Sequence, residues 1–312
     1  MINDFLSKYI TKDEKIILAI SCGPDSMFLL DKIINSDYKN NIVAVYFNHK
    51  LRQQSCDEQK FFIEFCNKNN IEYEVGKADI MALQKETISI SIEELARAKR
   101  YEFLRKIKNK YNANYILTAH HLDDKIETFF FNALRGSKLT GLINMLDKSG
   151  DILRPLLNIT KPEILDYLNK NNIKYFIDES NFDSSYTRNF LRLDILPKLD
   201  KINKNYKQNL ANLMNYLEEN KDFIDREVVK FLGIEESDKT YFSVAEFNDI
   251  SKFLQKEVIR YCFYIANNSS TIGLTEKNIA EIIKFINSKG NKTVKNIKNL
   301  KMFKDGDKLY YK

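Results

Sequence analysis

The chain has 312 residues, enough for about two domains with a sizeable core, and its 44% hydrophobic and 29% charged residues are ordinary for a globular protein. Its net charge of +6, from 49 basic and 43 acidic residues, suits a polyanionic partner or simply a mildly basic enzyme. Four cysteines without a C-x-x-C pair, no signal-peptide pattern and no bilayer-length apolar run lead us to expect a reduced, cytoplasmic protein with no membrane partner.

The first predicted strand, Ile16–Ile20, runs into a turn of small residues with the sequence SCGPDS. A buried strand, a tight turn and a helix start are typical of a phosphate cradle, because backbone N–H groups and the helix N-terminus attract anions. Gly23 lets the backbone approach a phosphate, and Asp25 is a candidate ligand for Mg²⁺. The alternatives are a plain strand-to-helix turn and an Asp25 that only complements the helix dipole.

Three further apolar runs alternate with predicted helices, at residues 42–47, 71–75 and 114–118. Four strands separated by helices predict a parallel, doubly wound α/β sheet, in which ligands bind outside the carboxyl ends of the strands. The first, second and fourth strands end in SCGPDS, NHKLR and AHHLDD. Three polar clusters at one sheet edge predict a composite site.

The cluster after the fourth strand continues into a helix on which Asp124 and Glu127 share a face. Two carboxylates on one face can bind a cationic substrate or a metal. The alternatives are helix capping by one aspartate and a buried, hydrogen-bonded histidine. Zinc is disfavoured, because magnesium with phosphates accounts for the carboxylates without a third histidine nearby in sequence.

Arginine pairs and lysine runs are candidate anion contacts. Arg97 and Arg100 lie on one face of a predicted helix, as do Arg188 and Arg192 of another. Lysines recur at every third residue in two runs, namely Lys198, Lys201, Lys204 and Lys207, and Lys292, Lys295, Lys298, Lys301 and Lys304. Such runs can follow a nucleic-acid backbone, and the alternative for every set is a solvated face.

The chain changes character near residue 200. Helical apolar spacing dominates residues 201–230, 252–267 and 275–288, and an Asp-Gly pair between MFK and KLYY predicts a β-hairpin. We therefore expect a catalytic domain at residues 1–199 and a second, mostly helical domain at residues 200–312 that ends in a small β element.

Six stretches between residues 15 and 198 together resemble the PP-loop ATP pyrophosphatase superfamily and, within it, the tRNA(Ile)-lysidine synthases. They are SCGPDS, YFNHKLR, EELARAKRYEFL, LTAHHLDDKIETFFFNALRGSKLTGL, ILRPLL and DESNFDSSYTRNFLRLDILP. The later stretches separate this family from other PP-loop enzymes. The second domain resembles the helical domain that follows the catalytic one in the family, and the whole chain resembles its short form.

The resemblance implies a two-step reaction with ATP as cosubstrate and Mg²⁺ as cofactor. ATP adenylates the C2 oxygen of the wobble cytidine of a tRNA(Ile) with a CAU anticodon, and pyrophosphate is released. The ε-amine of L-lysine then attacks C2, AMP leaves, and lysidine results. A single-stranded anticodon loop suits an enzyme that must reach an unstacked base. A homodimer is left open.

The resemblance also implies site residues by position. The ATP site comprises Ser21, Cys22, Gly23, Pro24, Asp25, Ser26, Asn48 and His49, together with Arg97 and Arg100, which face the ATP phosphates or the tRNA. Asp25 lies near Mg²⁺ and is catalytic with Asp124, while Asp124 and Glu127 bind lysine with help from Arg188 or Arg192. The candidates for tRNA contact are Lys201, Lys204 and Lys207, which come from the lysine run.

The phosphate loop departs from the family at one position. The family's loop reads Ser-Gly-Gly-x-Asp-Ser, and here Cys22 replaces the first glycine. Cysteine strains the turn if this position needs a positive φ, and is tolerated if it needs only a small side chain. Two alternative functions remain: a tRNA thiolase, whose iron–sulfur type needs paired cysteines, and a non-catalytic tRNA-binding protein with a decayed loop.

Overall fold

The structure, a computed structural model, describes residues 1–50, 55–86, 90–143, 145–177, 187–234, 240–268, 270–290 and 292–312. The chain divides into two compact units, Met1–Met214 and Asn215–Lys312. The sequence places the boundary earlier, between residues 199 and 200, and that domain boundary stays a prediction. The difference arises because Ala211 and Met214 are buried in an apolar cluster with Leu122.

Strands of the first unit form a central sheet. They are β1 (Ile16–Ile20), β2 (Ile42–Asn48), β3 (Glu72–Lys77), β4 (Tyr115–Leu117), β5 (Lys148–Ser149) and β6 (Ile152–Leu153). Among the described residues these six strands follow the order β3-β2-β1-β4-β6-β5. Neighbours pair in parallel except β5 with β6, which are antiparallel. The predicted doubly wound parallel sheet is confirmed, with a short antiparallel strand at one edge.

Helices connect and cover these strands. They are α1 (Ile2–Leu6), α2 (Pro24–Ile34), α3 (Ser55–Asn69), α4 (Ile80–Glu86), α5 (Ile92–Lys110), α6 (Leu122–Leu134), α7 (Leu139–Leu142), α8 (Lys161–Lys170), α9 (Thr187–Phe190), α10 (Leu196–Ile202) and α11 (Tyr206–Leu232). A short 3₁₀ helix spans Lys39–Asn41, and a π-helical turn spans Leu191–Ile195. Capping boxes start α5 and α8, as the Ser-x-x-Glu and Thr-x-x-Glu spacings predict.

Successive residues of β1 pack into different cores. Ile16 and Leu18 join a cluster that contains Leu29 of α2, whereas Ile17 joins a cluster that contains Leu104 of α5. Side chains of a strand alternate between faces, so a strand covered by helices on both faces must be apolar throughout. The double cover leaves the carboxyl edge of the sheet as the place where polar loops collect.

The second unit contains the end of α11 and a sheet backed by helices. Its further elements are β7 (Tyr241–Ser243), α12 (Val244–Asp249), α13 (Lys252–Ala266), α14 (Glu276–Ile286), β8 (Thr293–Ile297), β9 (Leu300–Asp305) and β10 (Lys308–Tyr311). The described strands form an antiparallel sheet in the order β7-β10-β9-β8. The predicted hairpin is confirmed between β9 and β10, where Gly306 has a φ of 59°. The β element is larger than the sequence suggests.

Apolar side chains of the sheet in the second unit pack against α13 and α14. Met302 and Leu309 belong to one buried cluster with Phe263 and Ile282. The opposite face of this sheet is not part of that core. Across the described residues, the structure contains no helix that is both long and apolar enough to cross a membrane.

Candidate active site

The turn between β1 and α2 is held together by its own serines. The Ser26 hydroxyl donates to the carbonyl of Gly23 at 3.0 Å and accepts the Ser21 N–H at 3.2 Å. Ser26 is buried, whereas Ser21 is exposed. Ser26 therefore shapes the turn, and the Ser21 hydroxyl is the one presented to a ligand.

Cys22 adopts a left-handed backbone conformation with a φ of 60°. Its carbonyl accepts the Phe176 N–H at 2.9 Å, and its buried thiol donates to the carbonyl of Glu58 at 3.5 Å. Burial raises the pKa of this thiol, so the cysteine is not a nucleophile. Of the two readings of this position, the one that requires a positive φ is correct.

The turn itself does not require a glycine at position 23. The Gly23 backbone is extended, with φ −73° and ψ 166°. A Cβ built there would lie 3.4 Å from the Ser21 hydroxyl oxygen, an ordinary contact. A glycine at position 23 therefore leaves room for an approaching ligand. The position whose backbone conformation favours glycine is 22, where this chain has a cysteine.

His121 joins the phosphate loop to α6. Its Nε2 atom lies 3.5 Å from an Asp25 carboxylate oxygen and 3.5 Å from an Asp124 carboxylate oxygen. Burial alone would lower the pKa of His121, yet that pKa is raised because Asp124 and Asp25 stabilise the imidazolium. Lys161 Nζ approaches the same Asp25 oxygen to 2.5 Å. Burial opposes the ionisation of Asp25, but His121 and Lys161 together lower its pKa.

The neighbouring histidine behaves in the opposite way. His120 Nδ1 lies 2.9 Å from the Thr118 hydroxyl, and burial lowers the pKa of His120 to about 4. The charges of Arg154, Arg97 and Arg100 act in the same direction, against the attraction of Asp124. At neutral pH His120 is therefore a neutral imidazole, whereas the surroundings of His121 shift its equilibrium toward the charged form.

Glu127 and Arg192 form a two-pronged ion pair. Arg192 Nε and Nη2 donate to the two Glu127 carboxylate oxygens at 2.6 and 2.8 Å, and Nη2 also lies 3.5 Å from Asp124. Burial raises the pKa of Glu127 against the opposing charge of Arg192, and the contact with Glu127 raises the pKa of Arg192. Arg192 lies in the π-helical turn, a feature often found at functional sites.

An open cleft of about 220 Å³ adjoins these groups. Its floor is apolar and includes Val45, Phe47 and Leu104. Its polar lining comprises Ser21, Asp25, Ser26, Arg100, Thr118, His120 and Asp124. An apolar floor beside a phosphate-type turn suits a ligand with a flat ring system and an anionic tail.

The acidic side of this cleft fits a magnesium ion that arrives with its ligand. Magnesium prefers oxygen atoms and is usually held by one or two carboxylates together with substrate phosphates. Asp25 and Asp124 supply such carboxylates beside the phosphate-type turn. In the described part of the chain, no three His, Cys, Asp or Glu side chains are arranged to hold a metal by themselves.

Residues 1–199, which contain all of the site residues described above, match the PP-loop domain. The chain belongs to the PP-loop family. The match begins before β1 and ends within α10, so it covers the phosphate-type turn, α6 and the π-helical turn. The predicted PP-loop fold is thereby confirmed.

Curated relatives resemble the chain beyond that domain. The tRNA(Ile)-lysidine synthase of Borreliella afzelii is 35% identical over 292 residues, which are 91% of this chain and 64% of the relative. That of Borrelia garinii subsp. bavariensis is 35% identical over 300 residues, 93% of this chain and 66% of the relative. The bifunctional protein TilS/HprT of Listeria monocytogenes is 31% identical over 298 residues, 92% of this chain and 46% of the relative. The chain thus spans about half to two thirds of the length of these relatives.

A solved structure shares the fold. The U34-tRNA thiolase NcsA of Methanococcus maripaludis superposes with a TM-score of 0.57 over 70% of this chain and 78% of its own, at 18% identity. At that identity the likeness concerns the fold alone. This shared fold agrees with the PP-loop domain that matches residues 1–199.

Two predicted nucleotide contacts, Asn48 and His49, have other partners in this PP-loop protein. Asn48 is buried and donates to the Ser55 carbonyl at 3.3 Å and to Gln59 at 3.2 Å. The His49 ring packs edge-on against Phe47, at a centroid distance of 5.0 Å. Neither Asn48 nor His49 is among the described residues that line the cleft. Asn48 therefore joins β2 to α3, and His49 packs against the Phe47 ring that lines the cleft.

The predicted arginine pairs separate in the structure. Arg100 lines the cleft, whereas Arg97 is exposed and lies 5.1 Å from the centre of the Tyr101 ring. Arg192 pairs with Glu127, whereas exposed Arg188 lies 5.5 Å from the centre of the Phe131 ring. One member of each pair is thus at the site and the other is at its margin.

The first lysine run does not form one helix face. Lys201 lies in α10, Lys204 in the connection after it and Lys207 in α11. The helical region predicted at residues 201–230 is interrupted near its start, because the chain leaves helical geometry at Asn203. Lys207 forms an ion pair with Asp123, while Lys201 and Lys204 are exposed.

Sequence reasoning missed Lys161 and gave no role to Asp123. Lys161 approaches Asp25 across 136 residues, and its backbone N–H donates to Asp123 at 2.7 Å. The only local signal is its place at the first position of α8, which does not reveal a partner so distant in sequence. Residues 51–54 and 178–186, which include the end of YFNHKLR and all of DESNFDSSY, lie outside the described residues.

Proposed function

We propose that this protein is a tRNA(Ile)-lysidine synthase, which joins L-lysine to C2 of the wobble cytidine in a tRNA(Ile) with a CAU anticodon. The observation that carries the proposal is the position of Asp124, Glu127 and Arg192 directly beside the phosphate-type turn. Two carboxylates and an arginine can recognise the ammonium and carboxylate groups of an amino acid. The names of the curated relatives support the same substrate.

ATP occupies the cleft in this proposal, with its base over the apolar floor and its phosphates at the turn. The Ser21 hydroxyl and the N-terminus of α2 face the phosphates, and Arg100 adds positive charge. Asp25, with Asp124 beside it, would hold Mg²⁺, which when bound draws phosphate oxygens together and neutralises their charge. Lys161 keeps Asp25 ionised and oriented before the ligand enters.

Lysine enters at Glu127 and Asp124 in place of the Arg192 guanidinium. Arg192 then turns to the carboxylate of the amino acid. A carboxylate whose pKa is raised by burial, as that of Glu127 is, can accept the proton of the ε-ammonium group. The neutral amine attacks the adenylated C2 carbon, a C–N bond forms, and the C2–O bond breaks as AMP leaves. The second unit, with Lys201, Lys204 and Lys207 before it, contacts the tRNA.

The test is an assay of the purified chain with ATP, Mg²⁺, radiolabelled lysine and a tRNA(Ile) transcript. We expect label in the tRNA, with one AMP and one pyrophosphate formed for each lysine transferred. A transcript with a guanosine in place of the wobble cytidine should accept no lysine. Sulfur transfer from a labelled donor, with no lysine transfer, would instead identify a thiolase.

Asp124→Asn provides the internal control for this assay. It should abolish transfer, whereas Asp166→Asn removes an exposed carboxylate of α8 and should leave transfer unchanged. tRNA binding without transfer by the folded wild-type chain would contradict the proposal and support a binding protein.

A further inference from the structure

The sheet of the second unit carries a row of large side chains across all its described strands. Backbone register places Tyr241 opposite Tyr310, Tyr310 opposite Phe303, and Phe303 opposite Val294. The centroids of the Tyr241 and Tyr310 rings are 5.3 Å apart, and those of the Tyr310 and Phe303 rings 6.0 Å. We call these three rings, together with the adjoining Val294, the aromatic row.

The aromatic row lies on the face of the sheet that the helices do not cover. Met302 and Leu309, which alternate with it along β9 and β10, are buried against α13 and α14. Val294 is 61% exposed and Phe303 is 36% exposed. Aromatic and apolar side chains grouped on an open sheet face usually mark an interaction surface.

The charges around the aromatic row are mostly positive. Lys308 Nζ lies 4.8 Å from the centre of the Tyr241 ring. Lys301 shares the face of Phe303, two residues before it, and pairs through its backbone with Lys312. Asp305, at the hairpin end of β9, shares this face and adds a negative charge. A surface that combines rings and ammonium groups complements a ligand with flat bases and phosphates.

Other members of the second lysine run are engaged inside the unit. Lys304 is buried and donates to the carbonyls of Ile286 and Ser288 at 2.7 and 2.6 Å, at the end of α14. Lys295 pairs with Glu281, and Lys298 donates to a backbone carbonyl at 2.7 Å. The every-third-residue spacing therefore does not describe the basic surface. Lys301 belongs to it because of strand alternation.

We infer that the aromatic row binds a single-stranded segment of RNA, with bases stacked on Tyr310 and Phe303 and phosphates near Lys301 and Lys308. Unpaired bases expose their faces for stacking, whereas bases within a duplex do not. Rings on the open face of a four-stranded antiparallel sheet are the means by which a common RNA-binding module holds two or three bases. The inference rests on the proposed function for the source of the RNA, an unpaired segment of the tRNA substrate, but its test does not.

The test measures binding of the full chain to a fluorescein-labelled single-stranded RNA of twelve nucleotides by fluorescence anisotropy, without ATP or lysine. Tyr310→Ala should weaken binding about tenfold, the loss of one stacked base, with little change in salt dependence. The double variant Lys301→Gln/Lys308→Gln should weaken binding and lower the slope of log affinity against log salt by about 1.4. Photo-crosslinking of 4-thiouridine RNA should label the peptide that contains Phe303 and Tyr310.

Matched controls lie in the same unit. Phe253→Ala removes an exposed ring of α13, and Lys252→Gln/Lys277→Gln removes two exposed lysines. Both should bind RNA as the wild-type chain does, and a duplex of the same sequence should bind more weakly than the single strand. Equal losses in variants and controls, crosslinks confined to residues 1–214, or a dimer dissociated by Phe303→Ser would each overturn the inference. Lysine transfer could still occur in all three cases, so the two proposals fail separately.

Discussion

The turn between β1 and α2 and the first turns of α6 line the same cleft but satisfy their polar groups differently. The turn uses neutral hydroxyls and backbone groups, as Ser26 shows by bonding to Gly23 and Ser21. The carboxylates of α6 are instead neutralised by cations from distant parts of the first unit. Asp123 meets Lys207, and Glu127 meets Arg192.

This difference shows how the two halves of the cleft, namely the turn after β1 and the acidic start of α6, are prepared for their ligands. A turn built from backbone donors remains ready for an anion without rearrangement. A buried carboxylate cannot stay unpaired, because desolvation of a lone charge is costly. The acidic half must therefore carry a substitute cation until a ligand cation replaces it. Asp25 belongs to both parts, since it lies at the start of α2 beside the phosphate-type turn and yet is paired with Lys161.

Asp25 is the residue whose loss should have the largest effect. Asp25→Asn keeps the shape of the side chain but removes the charge next to the phosphates, so both adenylation and transfer should fall about 10²- to 10³-fold in kcat/KM. Pyrophosphate release and lysine incorporation measure the two steps. Asp31→Asn, on the same helix and bonded to Tyr167, is the control and should keep near wild-type rates. Equal rates for both variants would remove Asp25 from the chemistry.

Glu127→Gln should separate the effects of the two halves of the cleft, because it should impair lysine transfer without impairing adenylation. The variant loses a charged partner for the amino acid, so the KM for lysine should rise about 10- to 150-fold, the equivalent of a charged hydrogen bond. The kcat for lysine transfer should also fall, because the amide cannot accept the proton of the ε-ammonium group. Pyrophosphate release on tRNA should remain near the wild-type rate, because the turn is untouched.

The control for Glu127 is Glu102→Gln, which removes an exposed carboxylate of α5 that pairs with Lys99. Glu102→Gln should change neither the KM for lysine nor the rate of pyrophosphate release. An equal decline of pyrophosphate release and lysine incorporation in Glu127→Gln would show that the halves do not act separately.

Local sequence patterns predicted the individual parts of this site. They could not predict which side chains pair, because the partners lie far apart in sequence. Strand periodicity depends on neighbours a few residues apart, and the alternation of strands with helices placed the turn and α6 at one sheet edge. The contact of Lys161 with Asp25 spans 136 residues and leaves no local signal. Arg188 and Arg192 diverge because a π-helical turn bonds i to i+5, so residues four apart no longer share a face.

Acidification should change the free energy of unfolding in opposite directions through the two adjacent histidines, His120 and His121. The pKa of His120 is lowered to about 4, so the unfolded chain binds this proton more readily between about pH 6.5 and 4. Acidification from pH 7 to 5 should therefore cost about 2 kcal/mol of unfolding free energy through His120 alone. In His120→Asn this cost should vanish, so the variant gains stability relative to the wild type as pH falls.

His121→Asn should show the reverse trend. The pKa of His121 is raised, so its contribution is fully present below the unfolded pKa and is lost as pH rises through the folded one. The variant lacks that contribution and should be weakest, relative to the wild type, at acid pH. Urea unfolding between pH 5 and 7.5 measures both trends. Parallel curves for the two variants would contradict the assigned charge states.

Cys22 offers the smallest and most local test of how the turn is built. A left-handed residue with a Cβ costs about 1 to 2 kcal/mol, which glycine avoids. Cys22→Gly and Cys22→Ala lose the same buried thiol, so glycine should be the more stable of the two by about 1 kcal/mol. Cys66 is also buried but lies within α3, where alanine should exceed glycine by about the same amount. Urea midpoints of the four variants measure this inversion. If alanine were also the more stable residue at position 22, the turn would tolerate a Cβ without strain, and the missing glycine of the family's loop would have no conformational cost.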